Sequence, residues 1–294
     1  YCKEMRNILY KIYLNPFRAF VYVLLKYLPN KIFKKRFFFN KKLDKKYFLI
    51  SFDCDVQEDI KCLPILLSKL DEIGIKPSLA IPGELIENNI TLIKDLMEKH
   101  NIEFINHGYY IHTEIYDNIS VSTKSYLDTL KDKILKDIEL GHKVLADKLK
   151  LKPKGFRAPH FGEINFTLRK MINNKIKELG YYYSSSTIYD YIFLNSPVSD
   201  NDNLIELSVT GCPDELYKIL DSWTFLNSGI KNSEEFKNKL NKCKELFFSS
   251  DFNYINIYVD PSHVINEKYF FDFLNDMSRF SKYNLTEFSN EYIK

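Results

Sequence analysis

Two carboxylates, Asp53 and Asp55, are separated by a single residue in this chain of 294 residues. They follow Tyr47–Phe52, an apolar and aromatic run with the length of one buried strand. Two acids this close repel each other unless a cation or an arginine compensates their charge. A divalent metal is one natural answer. The alternative is that the two acids cap the following helix, whose first turn would contain Glu58 and Asp59.

The elements that would position these acids alternate along the rest of the chain. Helices are predicted over 58–74, 84–100, 123–150, 165–180, 234–247 and 266–280. Strands are predicted over 47–52, 76–81, 102–106, 154–157, 181–183, 204–209, 254–259 and 284–288. Polar residues follow several of these strands at their C-terminal ends. Repeating strand–helix units of this kind predict an α/β fold, a (β/α) barrel of about seven strands over residues 47–294.

Residues 1–46 differ from the rest in charge. They contain thirteen Lys/Arg and two acids, so this leader carries +11 and the remainder −8 within a total of +3. Its apolar, aromatic and cationic helical pattern is typical of an anchor on an anionic membrane surface, or of a helix packed on the barrel. The longest uncharged apolar run, 19–25, is too short to span a bilayer. An acidic domain behind a basic leader is not typical of a nucleic-acid binder.

The chain contains five cysteines, and none lies in a CxxC motif or a Cys/His cluster. This odd number favours free thiols in a reducing compartment over a disulfide framework. Together with the basic leader, it predicts a cytoplasmic protein that can associate peripherally with the membrane.

Five short motifs follow one another along the chain: Phe52-Asp-Cys-Asp55, His107…His112, Arg157-Ala-Pro159, Gly180-Tyr-Tyr-Tyr-Ser-Ser185 and Tyr258-Val-Asp-Pro-Ser-His263. Their order resembles that of the polysaccharide deacetylases of carbohydrate esterase family 4, the NodB-homology family. Two weaker similarities are Gly211-Cys-Pro-Asp214 and Asp221-Ser-Trp223. The resemblance covers roughly residues 47–290 and implies a distorted (β/α) barrel.

The resemblance also implies roles for individual residues. A divalent metal, Zn²⁺ before others, would be held by Asp55, His107 and His112, because one carboxylate and two imidazoles leave zinc an open position. Asp53 would be the catalytic base, Arg157 its partner and His263 the acid that protonates the leaving amine. The implied substrate-binding residues are Pro159, Trp223 and Asp214.

Two spacings depart from the family pattern. His107 and His112 are five residues apart rather than four, and a separation of five rotates a side chain by about 140° around a regular helix. An irregular loop that Gly108 permits would resolve this, and His160 is a reserve ligand. His263 also follows Asp260 by three residues, whereas the family places its late histidine at or next to the position of Asp260.

The implied function is a metal-dependent hydrolase that removes an N-acyl group, most simply acetyl, from an amino sugar in a glycan or glycan precursor. One alternative is an amide hydrolase that acts on a small non-sugar substrate. The other is a non-catalytic carbohydrate-binding relative, which the two unusual spacings keep open.

Overall fold

The structure is a computed structural model that describes residues 15–117, 119–161, 164–227 and 231–293. The helices are α1 Pro16–Tyr27, α2 Lys34–Phe38, α3 Gln57–Ile73, α4 Gly83–Asn88, α5 Ile90–Lys99, α6 Lys131–Lys143, α7 Phe166–Glu178, α8 Tyr189–Leu194, α9 Ser222–Leu226, α10 Ser233–Ser249, α11 Pro261–Val264, α12 Lys268–Met277 and α13 Leu285–Ile293. The strands are β1 Tyr47–Asp53, β2 Ser78–Ile81, β3 Glu103–Asn106, β4 Thr113–Tyr116, β5 Ile119–Ser122, β6 Gly155–Phe156, β7 Tyr183–Ser184, β8 Val198–Asp200, β9 Ile205–Leu207, β10 Gly211–Cys212, β11 Glu215–Ile219 and β12 Tyr254–Val259.

Eight of these strands form one curled sheet in the order β12-β1-β2-β3-β6-β7-β9-β8. Seven of them run parallel, and β8 pairs antiparallel with β9 at the edge. Just beyond β9, the backbone N–H of Thr210 donates to the carbonyl of Asn256 in β12 at 2.8 Å, so the two ends of the sheet approach each other. The predicted distorted (β/α) barrel of about seven strands is confirmed.

The two faces of β1 show how the sequence pattern positions the site. Successive side chains in a strand point to opposite faces. Phe48 and Phe52 pack in the large apolar layer under the helices, whereas Tyr47 and Leu49 pack in the barrel interior. Asp53 continues the interior series, and Cys54 lies in the helix-side layer, so alternation alone separates the carboxylate from the thiol.

The described part of the basic leader packs on the barrel. Val21 and Leu25 of α1 are buried, as are Phe37 and Phe38 of α2. Two hydrogen bonds then hold the end of the leader on the barrel. The side chain of Asn253 accepts from the backbone N–H of Asn40 at 2.8 Å and donates to the carbonyl of Asn40 at 2.9 Å. No helix among the described residues combines the length and apolar character needed to cross a membrane.

Three predicted elements differ from the structure. The predicted strand 284–288 is wrong, because Asn284 and Glu287 exchange side-chain-to-backbone hydrogen bonds that cap the start of α13. The predicted helix 123–150 begins only at Lys131 and ends in a π-helical turn. The predicted helix 84–100 is two helices, because Asn89 leaves helical geometry and pairs its side chain with Gln57.

Candidate active site

Five strands of the barrel each have a polar residue at their C-terminal end. Asp53 is the last residue of β1, and His107, Arg157, Ser185 and Asp260 directly follow β3, β6, β7 and β12. Because parallel strands have their C-terminal ends on the same rim of a barrel, these side chains converge there. All five are buried.

Asp55, His107 and His112 form one compact cluster. The Oδ1 atom of Asp55 lies 3.2 Å from Nε2 of His107 and 3.1 Å from Nε2 of His112. One possible ligand atom from each residue lies within 4.8 Å of the others. Although these contacts are short, Oδ1 of Asp55 and Nε2 of His112 make no hydrogen bond to any described residue. Two buried polar atoms that lie this close without a hydrogen bond indicate a place suited to a shared cation.

The loop between the two histidines explains their five-residue spacing. His107 lies just after β3, and His112 lies just before β4, so no helix links them. Gly108 adopts a φ of +76°, and a Cβ there would lie 2.3 Å from an oxygen of Asp137. That carboxylate accepts the backbone N–H groups of Tyr109 and Tyr110, each at 2.9 Å. The expected irregular loop therefore brings both imidazoles to Asp55.

Each member of the cluster is also oriented from outside. The Nδ1 atom of His107 lies 2.8 Å from the carbonyl oxygen of Arg157, which directs its Nε2 toward Asp55. The hydroxyl of Thr113 donates to Oδ2 of Asp55 at 3.2 Å. Burial would raise the pKa of Asp55, but the two imidazoles outweigh it and hold that pKa well below its usual range.

Asp53 is paired with a fully buried arginine. Nη1 of Arg157 donates to Oδ1 of Asp53 at 2.5 Å, and the exposed fraction of the two side chains is 0% and 4%. Ser185 holds the same guanidinium, with its carbonyl 3.1 Å from Nε and its hydroxyl 3.0 Å from Nη2. Burial raises the pKa of Asp53 to about 6, and the positive charge of Arg157 opposes that rise.

Asp260 occupies the rim position after β12, and His263 lies behind it on α11. The Nδ1 atom of His263 is 3.2 Å from Oδ2 of Asp260. The hydroxyl of Ser222 donates to the same oxygen at 2.8 Å, and it accepts the backbone N–H of Asp260. Burial opposes a charge on His263, but Asp260 outweighs it and raises the pKa of the imidazole.

A cavity of about 230 Å³ opens onto these groups. Its lining includes Asp53, Asp55, His107, Trp223 and Asp260. The cavity therefore brings together the predicted base Asp53, two of the three cluster residues and Trp223, one of the predicted substrate-binding residues.

No role at the site was predicted from the sequence for two residues that the structure places there. Arg18 of α1 lines the cavity, although nothing in the local sequence around Arg18 connects the leader with the barrel rim. Asp59 accepts the backbone N–H of Asp55 and of Ser262, at 3.1 and 2.9 Å, and so ties the loop after β1 to the start of α11. The position of Asp59 in the first turn of α3 was the sequence feature that could have predicted these backbone hydrogen bonds.

The remaining predicted residues lie elsewhere. Pro159 lines a second cavity, which His112 also lines. Asp214 lies outside both cavities and forms ion pairs with Lys239 and Lys242, so its predicted substrate contact is not favoured by its position. His160, the reserve ligand, lines the first cavity with its Nε2 2.8 Å from the hydroxyl of Ser122 and is not part of the three-residue cluster.

Comparison with solved structures identifies the class of fold. A protein from Mycobacterium smegmatis, provisionally assigned as a polysaccharide deacetylase, is similar with a TM-score of 0.65 at 17% identity, over 85% of this chain and 91% of that one. The peptidoglycan deacetylase PdaC from Bacillus subtilis is similar with a TM-score of 0.51 at 12% identity, over 85% and 92%. The chain has the fold of the carbohydrate esterase family 4 deacetylases, which confirms at the level of fold the resemblance carried by its motifs.

The same fold is shared with proteins that lack activity. A family 4 pseudoenzyme from Bacillus anthracis is similar with a TM-score of 0.50 at 14% identity, over 84% of this chain and 66% of that one. No family model matches the sequence. No curated protein is significantly similar to it in sequence. The function therefore has to be argued from the site.

Proposed function

We propose that this chain is a divergent member of carbohydrate esterase family 4 and a metal-dependent hydrolase that removes an N-acetyl group from an amino sugar. The observation that carries the proposal is the juxtaposition, at one barrel rim, of the cluster Asp55–His107–His112 with the buried pair Asp53–Arg157. A carbohydrate-binding module needs neither a three-ligand set nor a carboxylate held by a buried arginine.

The cluster fits Zn²⁺ by the chemistry of its donors. Two imidazole nitrogens and one carboxylate oxygen suit this ion, and the orphaned atoms of Asp55 and His112 would gain a partner. When bound, such an ion supplies Lewis acidity, which acidifies water and polarises an acyl oxygen.

The protein's own groups supply the proton transfers. Asp53 faces the same cavity as Asp55 and is oriented by Arg157, so it is placed to accept the proton of the attacking water. Water adds to the acyl carbon, the C–N bond breaks, and acetate and a free amine leave. The leaving amine needs a proton, and the protonated imidazole of His263 is its proposed source. The carboxylate of Asp260 lines the cavity and lies 3.2 Å from Nδ1 of His263, so it is placed to relay that proton to the amine.

Metal content and acetate release test this proposal together. We expect the purified chain to hold about one divalent ion and to release acetate from N-acetylglucosamine oligosaccharides. Asp53→Asn should lower turnover by roughly 10³-fold and leave metal content unchanged, because the base is lost while all three ligands remain. His112→Gln should lose the metal. His100→Gln is the matched control, because His100 pairs with Asp71 and lines neither cavity.

The rivals predict different results. Metal binding with acetate release only from small amides would favour the non-sugar amide hydrolase. Saccharide binding without acetate release, unchanged by Asp53→Asn, would favour the non-catalytic relative. Loss of metal in Asp53→Asn would show that Asp53 is a ligand and that the roles of the two acids are reversed.

We also propose that the protein works at the cytoplasmic face of a membrane. Support comes from the outer face of α1 and the turn after it, where Phe20, Tyr27 and Ile32 expose 56%, 74% and 63% of their surface beside Lys26 and Lys31. Exposed aromatic and cationic side chains on one face favour an anionic lipid surface. Among the described cysteines, all four are free thiols.

Vesicle sedimentation tests this location. We expect co-sedimentation with vesicles of phosphatidylserine and phosphatidylcholine, weaker at high salt. The double variant Phe20→Ser/Tyr27→Ser should sediment less, and Phe166→Ser, at an exposed position of α7, is the control. Equal sedimentation of all three proteins would contradict the membrane contact.

A further inference from the structure

The second cavity, whose lining includes His112 and Pro159, is larger than the first. It has a volume of about 520 Å³, within the usual range for small-molecule sites. His112 lines this cavity, so the cavity is adjacent to the three-residue cluster. Tyr110, Leu130 and Pro159 also line this cavity. The predicted substrate residue Pro159 is therefore placed here rather than beside Trp223.

Three lysines line this cavity, which we call the lysine groove: Lys124, Lys133 and Lys136. All three are exposed, and among the described residues no carboxylate lies in ion-pair contact with their ammonium groups. Lys124 lies 4.9 Å from the ring centroid of Tyr110. These cations are therefore not neutralised by the protein itself.

Two acids, Asp128 and Asp137, also line the groove. Both oxygens of Asp137 accept hydrogen bonds, one from the backbone of Tyr109 and Tyr110 and the other from the hydroxyl of Tyr126 at 2.6 Å. The carboxylate of Asp137 therefore fixes the loop between the two histidines. Among the described lining residues, three lysines still outnumber the two acids.

The first cavity has the opposite character. Its described lining residues include four carboxylates, Asp53, Asp55, Asp221 and Asp260, and one guanidinium, that of Arg18 from the leader. A substrate that extends into both cavities meets an acidic lining in the first and a basic, aromatic lining in the second. A neutral glycan would gain nothing from that asymmetry, whereas a glycan with an acidic group next to its N-acetylated unit would.

We propose that the lysine groove binds an anionic group, a carboxylate or a phosphate, on the sugar unit next to the one that is deacetylated. The proposal rests on the proposed deacetylase function and specifies its substrate as an acidic saccharide. The exposed ring of Tyr110 offers a face on which the sugar ring packs, and the ammonium groups of Lys124, Lys133 and Lys136 meet the anion.

Calorimetric titration of three probes tests the groove without requiring turnover. The probes are a neutral N-acetylglucosamine tetrasaccharide, an oligosaccharide of equal length that alternates N-acetylglucosamine with glucuronate, and the nucleotide sugar UDP-N-acetylglucosamine. At 50 mM NaCl we expect at least one anionic probe to bind about tenfold more tightly than the neutral one, and this preference should shrink at 500 mM. Preference for the glucuronate probe identifies a carboxylate, and preference for the nucleotide sugar identifies a phosphate.

A triple variant, Lys124→Gln/Lys133→Gln/Lys136→Gln, should remove the preference and leave binding of the neutral probe within about twofold. The matched control is Lys94→Gln/Lys131→Gln/Lys170→Gln, which removes the same charge from exposed helical positions that do not line the groove. If the control loses the preference equally, or if no anionic probe binds more tightly than the neutral one, the proposal is overturned.

Acetate release from the same probes is measured in parallel. Charge-dependent binding without acetate release would support the groove and remove the deacetylase proposal. Acetate release at equal KM from neutral and acidic probes would overturn the groove and leave the deacetylase proposal standing.

Discussion

Removing Arg157 is the sharpest test of how the site is held together. The guanidinium is fully buried, and it donates to Asp53 at 2.5 Å and to Ser185 at 3.1 and 3.0 Å. Arg157→Met keeps a similar chain length but leaves the carboxylate of Asp53 buried without its counter-charge. Loss of one partner from a buried ion pair costs about 3–5 kcal/mol in the free energy of unfolding. For a chain of this size, that corresponds to a fall in Tm of roughly 10 °C.

The coupling between the two side chains separates this effect from simple loss of packing. We expect the double variant Asp53→Asn/Arg157→Met to recover about 2 kcal/mol relative to Arg157→Met, because no unpaired charge remains. Urea unfolding followed by circular dichroism, in the presence of a chelator, measures all four proteins of the cycle. A loss below about 1 kcal/mol in Arg157→Met, or additive effects of the two substitutions, would refute the ion-pair reasoning.

Three further predictions concern stability. Burial raises the pKa of Asp221 to about 7, so this acid binds more protons in the folded than in the unfolded state. Its contribution to the free energy of unfolding therefore falls as pH rises toward and through 7. Asp221→Asn should therefore gain on the order of 2 kcal/mol over the wild type between pH 5 and pH 8.5 in urea titrations, and a constant difference would contradict this. Gly155→Ala should cost about 3 kcal/mol in the same assay, because the new Cβ would lie 1.9 Å from the ring of Tyr183, and an unchanged midpoint would contradict the packing. A chain that begins at residue 47 should lose at least about 5 kcal/mol, since the buried rings of Phe37 and Phe38 are removed, and an unchanged Tm would show that the leader adds nothing to the core.

The sequence by itself determined the frame of the site. The apolar run before Asp53 has the length and composition of a buried strand, and polar residues after several such runs meet where parallel strands share a rim. The five-residue spacing of His107 and His112 likewise predicted an irregular loop at Gly108. These features depend on contacts between near neighbours in sequence, which a local pattern records.

Only the tertiary structure decided which distant residues meet. Arg18 reaches the first cavity from a helix that precedes the barrel, and His263 lies behind Asp260 rather than at the cavity wall. The lysine groove arises because the loop from His107 to His112 and the first turns of α6 enclose one space. Each of these arrangements depends on how whole elements pack against one another, and residue spacing along the chain carries no information about that packing.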